Sequence, residues 1–394
     1  MRTNPFTSNG RDALIVEALR TPMGKSHPER GWFRDTHPNE MLGSVYTALL
    51  ESTGLAPDAV EDLVVGCTAP FGEQSRNIAR NAWLQAGYPH EVPATVLDRR
   101  CGSAQTAVEM AAALVSSGTH DVVIAGGVEH MQHVPINSPV KISEIYGDPI
   151  TAELRSRYDF VSQGESAELI ADRWKLFREE LDQFAVRSHR LAAEAVAAGR
   201  FDREMIPMEL AGEKRVSDQP IRPDTSMEGL AKLKTVFREN GRITAGSSSP
   251  ISDGAAGVLL ASPEGADRHG LRPRARILDQ TTVGVDPVIM LTGPIPATRK
   301  LLERNGMSIG DIDLIEINEA FSSVVLAWEK ELSPDMDRVN VNGGAIALGH
   351  PVGASGSRLF GTLLAEMERR DVEIGLVTMC CGGGLGTATL VQRV

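Results

Sequence analysis

The chain has 394 residues, room for two or three domains at the usual ~100–200 residues each. Its 42% hydrophobic and 23% charged residues exclude a disordered chain and a coiled coil; a formal charge of -12 and 5% aromatics argue against nucleic-acid binding by phosphate contacts and base stacking. No apolar run reaches the ~18–20 residues a membrane helix needs, Met1 to Asp12 lack a secretory apolar stretch, and Val391–Val394 is no peroxisomal tripeptide, so a cytoplasmic protein without membrane contact is expected.

In chain order, the first dozen residues read as a loose tail. Ala13 to Val16 is a buried strand ended by a turn around Pro22 and Gly24, and Met41 to Leu50 a helix with an apolar face. Leu63 to Val65 and Ala94 to Leu97 are strands, with a helix between them at Ile78 to Ala86. Thr106 to Val115 is helical, and Asp121 to Ala125 is a strand running into Gly126-Gly127. Met131 to Ser249 is richer in charge, with amphipathic helices at Ser166 to Trp174 and Leu181 to Ala198 and a turn-rich loop at Asp218 to Thr225. Strands return at Ala275 to Leu278, Leu314 to Ile317, Ile374 to Thr378 and Ala388 to Val391, with helices at Pro296 to Leu302, Ser322 to Leu332 and Leu359 to Met367. Alternating strands and helices imply an α/β layered fold. Each half repeats one plan: a reactive residue at a Gly/Ser turn, a helix, a strand and a glycine cluster. This suggests two related halves facing one crevice.

Cys67, Cys101, Cys380 and Cys381 have no disulfide-framework or metal-ligand spacing. Cys67 follows the strand Leu63–Val65 and reads as structural. Cys101 begins a helix, where the N-terminal partial charge favours a thiolate, although a small buried residue fits there equally. Cys380 precedes Cys381 and three glycines, which places a thiol and free N–H groups beside a cleft, or else a plain tight turn. Strand alternation sends Cys381 away from Cys380. His350, set among glycines, has room for a ligand and the chemistry of a general base. Asn318, after a buried strand, is either an oxyanion donor or a helix N-cap. Gly24-Lys25-Ser26 lacks the first glycine of a phosphate loop, and His130 with His133 lacks a third ligand, so no metal site is expected.

Cys101-Gly102-Ser103, Asn318-Glu319-Ala320-Phe321, Gly343 to Pro351 around His350, and Cys380-Cys381-Gly382-Gly383-Gly384 resemble the thiolases in order and spacing. Arg20-Thr21-Pro22-x-Gly24-Lys25 and Gly126-Gly127-x-Glu129-x-Met131 fit too, and Gln74 to Trp83 is most similar to thiolases of bacterial fatty-acid and steroid breakdown. The resemblance spans Ala13 to Val394. It implies the thiolase fold, five layers αβαβα from two similar halves with an inserted loop domain. Residues 1–130 with 250–273 would form the N-terminal half, 131–249 the loop domain that binds CoA, and 274–394 the C-terminal half.

The resemblance also implies roles. Cys101 would carry the acyl group as a thioester, His350 would activate it, and Cys380 would move protons at the α-carbon or the CoA thiol. Asn318, through a water, would form one oxyanion hole with His350; the N–H groups of Cys101 and Gly382 would form the second. Arg222, in the pattern Asp218 to Arg222, would meet the adenine end of CoA, and Ser249 and Phe321 its pantetheine arm. Coenzyme A would be a co-substrate, with no tightly bound cofactor. The implied activity is CoA-dependent cleavage of a 3-ketoacyl-CoA to acetyl-CoA or propionyl-CoA and a shortened acyl-CoA. A biosynthetic acetyl-CoA acetyltransferase making acetoacetyl-CoA is the alternative; a chain-building condensing enzyme and a non-catalytic CoA-binding scaffold are further rivals. A homodimer or homotetramer is implied. Departures from the family at Ser247-Ser248-Ser249-Pro250, Leu291 and Gln132 point to a reshaped acyl pocket, with Leu291 in its wall.

Overall fold

The structure, a computed structural model, describes residues 11–210 and 212–394. Most of the tail read at the start of the chain therefore lies outside the described residues. Its last two members are anchored: the Arg11 guanidinium pairs with Asp121, and Asp12 accepts from Arg276 at 3.1 Å.

The strands are β1 (Leu14–Arg20), β2 (Gly24–Lys25), β3 (Asp62–Gly66), β4 (Ala94–Leu97), β5 (Val122–His130), β6 (Met208–Leu210), β7 (Glu213–Arg215), β8 (Ser252–Ala261), β9 (Ala275–Gly284), β10 (Leu314–Ile317), β11 (Ile374–Cys381) and β12 (Leu385–Arg393). The helices of eight residues or more are α1 (Pro38–Thr53), α2 (Ile78–Gln85), α3 (Ser103–Ser116), α4 (Ser138–Tyr146), α5 (Gln163–Arg173), α6 (Arg178–Ala197), α7 (Pro294–Asn305), α8 (Ser322–Leu332) and α9 (Ser355–Arg370).

The main sheet runs β10-β11-β12-β9-β1-β8-β5-β3-β4, with β2 paired to β8. β3 pairs in parallel with β4 and β5, and β10 with β11; the other pairs are antiparallel. The two halves join where Leu14 and Ile15 of β1 meet Arg276 and Ala275 of β9. Helices α3 and α9 pack on each other and reach strands of both halves, while α1 covers the outer face of one half and α7 that of the other. This gives helix, sheet, helix, sheet, helix in succession, a mixed α/β fold with a large central sheet. The innermost apolar cluster draws on both halves: Val108 and Ala111 of α3, Leu359 and Leu363 of α9, Val123 and Val258 of one sheet half, Val377 and Val391 of the other.

Two sequence expectations change. Gly126-Gly127 continue β5 rather than end it. Their glycines answer close approach: a methyl at Gly127 would lie 1.9 Å from the Gly353 carbonyl oxygen and 2.8 Å from Ala104 Cβ. Strand β8, buried along its whole length, is absent from the expected strands, although Ala255 to Ala261 is an unbroken run of apolar residues and glycine. Its glycines and alanines carry little strand preference. They are small because α1 presses close: a methyl at Gly257 would sit 2.7 Å from Val45.

Residues 131–249 fall between β5 and β8 in the chain. A buried ion cluster fastens them: Arg20 on β1 reaches Glu204 at 2.5 Å and Asp218 at 2.7 and 3.0 Å, and Asp218 also accepts the Met23 N–H at 2.8 Å. A buried arginine so paired is costly to break from either side, because an uncompensated charge stays behind.

Gly127→Ala is expected to lose about 2 kcal/mol or more in urea denaturation, since the Gly353 backbone has nowhere to retreat. Gly284→Ala, where an added methyl meets nothing within 4 Å, serves as the control and should stay near the parent.

Candidate active site

Cys101 ends a tight turn ahead of α3. Asp98 accepts the Arg100 N–H at 2.7 Å, Ser103 Oγ donates to the Arg100 carbonyl at 2.6 Å, and the Arg99 N–H donates to Ser103 Oγ at 2.8 Å. These bonds hold Arg100 at φ 53, a left-handed conformation that non-glycine residues seldom adopt. Gly102 next to it allows contact with the opposite half: a methyl there would fall 2.5 Å from Cys381 Sγ.

The Cys101 thiol is 1% exposed. Burial pushes its pKa up to about 11, although the Gly382 N–H, its own N–H and the Arg100 charge all favour the thiolate. The lowered pKa expected from a helix N-terminus is therefore overridden by desolvation. The free protein holds a thiol that needs a base.

Cys380 is fully buried rather than open to a cleft. It packs with Met290, Ala320 and Phe321, whereas Cys381 joins Cys101 in the central core. Burial and the adjacent Cys101 sulfur push the Cys380 thiol well above its ordinary range. Asn318 enters the neighbourhood of the same strand end, because β10 and β11 run in register to Ile317 and Thr378 and the Asn318 N–H then donates to the Thr378 carbonyl at 3.1 Å, two residues before Cys380.

The Asn318 amide nitrogen lies 3.4 Å from His350 Nε2. On the other side of the ring, His350 Nδ1 is 2.6 Å from Ser355 Oγ, and that hydroxyl donates to the Pro351 carbonyl at 2.9 Å. With its single hydrogen committed, Ser355 accepts from Nδ1–H, so Nε2 carries the lone pair. Burial, with Arg358 adding to it, lowers the His350 pKa to about 3. The ring is neutral at pH 7. The Asn318 carbonyl oxygen is buried without a hydrogen-bond partner among the described residues. Sequence reasoning missed Ser355; its place one turn after His350, at the start of α9, was the available signal.

The remaining motif residues are braces. Glu129 accepts from the Thr68 N–H and hydroxyl, the Ala69 N–H, Gln74 and the Gly353 N–H at 2.6–3.2 Å, tying the His350 turn to the first half. Glu319 accepts from Ser188 Oγ at 2.6 Å, Asn340 at 2.9 Å and the Ile346 N–H at 3.2 Å, facing away from Asn318.

The residues expected to meet CoA are drawn toward one entrance. Arg222 is exposed and shares a cleft with Lys25, His189, Ser248 and Pro250. The Ser249 N–H donates to the Ala320 carbonyl at 3.0 Å, and Ser248 bridges to Phe321, whose ring meets Phe237 edge-on at 5.9 Å. Arg222 and the Asn318 to Phe321 segment thus flank the loop 247–250. A separate cavity of about 310 Å³ opens at Gly382, walled by Met131, Ile136, Phe160, Val161, Met290 and Val352. Met290 is its wall rather than Leu291, which is 1% exposed and packs inward beside Cys380.

The chain matches the family models described as thiolase, N-terminal domain, over residues 13–264 and thiolase, C-terminal domain, over residues 271–393. It is 45% identical to steroid 3-ketoacyl-CoA thiolase FadA6 of Mycobacterium tuberculosis, across 99% of this chain and 97% of that protein. It is 43% identical to 3-ketoacyl-CoA thiolase of Saccharophagus degradans, across 98% and 99%. The crystal structure of the Bacillus anthracis acetyl-CoA acetyltransferase superposes with a TM-score of 0.88 at 36% identity, covering 98% of this chain and 100% of that one.

A histidine held neutral in the fold and protonated when unfolded stabilises fully above about pH 6.5, and loses that contribution as pH falls toward its folded value of about 3. Between pH 6.5 and 4 the parent is therefore expected to lose roughly 3 kcal/mol more than His350→Asn. Chemical denaturation at the two pH values measures the difference; equal losses would place the ring in contact with solvent.

Proposed function

The chain belongs to the thiolase family, and on that footing we propose that it is an acyltransferase cleaving a 3-ketoacyl-CoA with CoA through a Cys101 thioester. The observation that carries the reading is the convergence of the two halves on the Cys101 turn: a methyl at Gly102 would fall 2.5 Å from Cys381 Sγ, and Cys380 and Gly382 stand on either side of that residue in the chain.

The chemistry follows from the protonation states. Three buried neutral groups, Cys101, Cys380 and His350, start the cycle. The Cys101 proton moves to the His350 Nε2 lone pair as the sulfur attacks the 3-keto carbon. The carbonyl oxygen becomes an oxyanion, which the N–H groups of Cys101 and Gly382 stabilise. One such donor is worth about 3–4 kcal/mol of barrier. Collapse breaks the bond between the α- and 3-keto carbons and leaves the enolate of acetyl-CoA, or of propionyl-CoA where the α-carbon is methylated. The Cys380 thiol protonates that carbon and becomes the thiolate. A water on Asn318 and the protonated His350 oppose the enolate oxygen. In the second half, CoA gives its thiol proton to Cys380 and attacks the Cys101 thioester. The shortened acyl-CoA departs, and Cys101 regains its proton from His350.

Residues 131–249 act in this reading as the CoA-binding insertion, with Arg222 at the adenine end and Ser249 and Phe321 along the pantetheine arm. The cavity at Gly382 receives the acyl chain. At ~30 Å³ per water-sized group, about 310 Å³ holds roughly ten heavy atoms, far more than an acetyl group. The relative in Mycobacterium tuberculosis is named for a steroid substrate, which is consistent with a bulky acyl group. We place the working enzyme as a homodimer or homotetramer.

Thiolysis of acetoacetyl-CoA and of a ten-carbon 3-ketoacyl-CoA, run side by side, tests the reading. The longer substrate is expected to turn over with the larger kcat/KM. Cys101→Ala should lose at least ~1000-fold and form no acyl-enzyme. Cys380→Ala should still be acylated on Cys101 by acetyl-CoA, seen by mass spectrometry, yet fail to cleave the carbon–carbon bond. Turnover of acetoacetyl-CoA alone would favour the biosynthetic acetyltransferase.

A further inference from the structure

The cavity at Gly382 is not uniformly apolar. Two donors stand where its apolar walls meet the catalytic turn. The Arg100 stem lies along Gly382, a methyl there falling 3.8 Å from its Cγ, and the same methyl would fall 2.8 Å from the Gln163 side-chain nitrogen. Both residues line the cavity. Gln163 opens α5 from the inserted segment, and Arg100 precedes the nucleophile, so two distant parts of the chain deliver them to one place.

Neither donor is committed elsewhere. The Gln163 amide makes no hydrogen bond to another described residue. Among the described residues the Arg100 guanidinium pairs only with Asp98, at 3.7 Å, with the side chains 54% and 38% exposed. A loose, half-exposed pair of this kind holds little free energy and yields readily to a better partner. The cavity offers no competing acceptor of comparable freedom. Glu129 also lines it, but its oxygens already receive six donors. The walls of Met131, Ile136, Phe160 and Met290 suit methylene groups, and Arg100 is the one cationic side chain among the described residues that line the cavity.

We infer that this cavity selects a 3-ketoacyl group bearing a carboxylate a few carbons beyond the keto carbon, received by the Arg100 guanidinium and the Gln163 amide. The short range follows from position: both donors flank Gly382, which follows Cys381, and Cys381 Sγ lies 2.5 Å from where a methyl at Gly102 would sit, one residue from Cys101. Arg100 supplies the charge and Gln163 a directed N–H, a combination that favours an anionic acceptor over an alkyl chain. A plain alkyl chain in the same place would cover the Arg100 head without replacing its water. The inference rests on the thiolase reading and adds to it the chemical class of the acyl group.

The test compares two CoA thioesters of equal length, that of 3-oxohexanedioic acid and that of 3-oxohexanoic acid, in CoA-dependent thiolysis. The intact enzyme is expected to favour the dioic substrate in kcat/KM by about tenfold to a hundredfold, the range of one hydrogen-bonded charge. Arg100→Met keeps the stem and removes the charge; the preference should collapse toward one, mostly through KM. Arg100→Lys should restore part of it, and Gln163→Leu should reduce it severalfold. Raising salt should weaken the preference of the intact enzyme but not that of Arg100→Met. Equal or faster cleavage of the 3-oxohexanoyl thioester by the intact enzyme, or a preference that survives Arg100→Met, overturns the inference while leaving the thiolase reading in place. Failure to cleave either thioester by an enzyme that cleaves the ten-carbon 3-ketoacyl-CoA overturns the inference alone; failure on all three overturns both.

Discussion

The structure depends on the closeness with which its two central helices meet at their N-termini. At Gly356 a methyl would lie 2.2 Å from the Gln105 nitrogen, and at Gly127 one would lie 1.9 Å from the Gly353 oxygen. Backbone presses on backbone along this line, and nothing larger than glycine fits. Because Cys101 immediately precedes one helix and His350 the turn into the other, the packing of α3 against α9 sets the position of both reactive groups. Glu129 adds to it by bonding Thr68 and Ala69 on one side and Gly353 on the other. The rigid centre thus serves first as architecture and then as catalytic alignment.

That closeness has an electrostatic consequence. Burial moves Cys101 and Cys380 upward and His350 downward, so each keeps its neutral form. A charged resting site would resemble a permanently activated nucleophile; in the proposed cycle this one separates charge only when a substrate carbonyl is present to accept it. The N–H groups at Cys101 cost no reorganisation at that moment, because the turn and the Gly382 hairpin already hold them. Ser355 contributes by fixing the histidine tautomer, a role that requires geometry but no charge.

Residues 131–249 supply walls to two clefts. They provide Arg222 to the cleft it shares with Lys25 and His189, and Ile136, Phe160, Val161 and Gln163 to the cavity at Gly382, while Cys101, His350 and Cys380 lie outside them. The buried Arg20 cluster with Glu204 and Asp218 anchors this region to β1. Asp218, which in sequence belongs with Arg222, thus holds the scaffold while Arg222 faces outward. Changes in the inserted walls can alter the acyl group without disturbing the thiol chemistry.

The sequence by itself determined the family and the α/β layering, because hydrophobic periodicity and the spacing of the motifs around Cys101, Asn318, His350 and Cys380 are local properties of the chain. It also separated Cys380 from Cys381, since strand alternation is local. It did not reveal β8, whose small residues answer pressure from α1 rather than strand preference, nor the continuation of β5 through Gly126 and Gly127. The direction of the Cys101 shift was misread for the same reason: a helix N-terminus is visible in sequence, but the desolvation that outweighs it comes from the opposite half. The Ser355 tautomer lock, Met290 in place of Leu291 in the cavity wall, and the meeting of Arg100 with Gln163 were decided only by the tertiary structure. Each depends on which distant side chain fills the space beside it, and that is settled by packing between elements rather than by the order of residues within one.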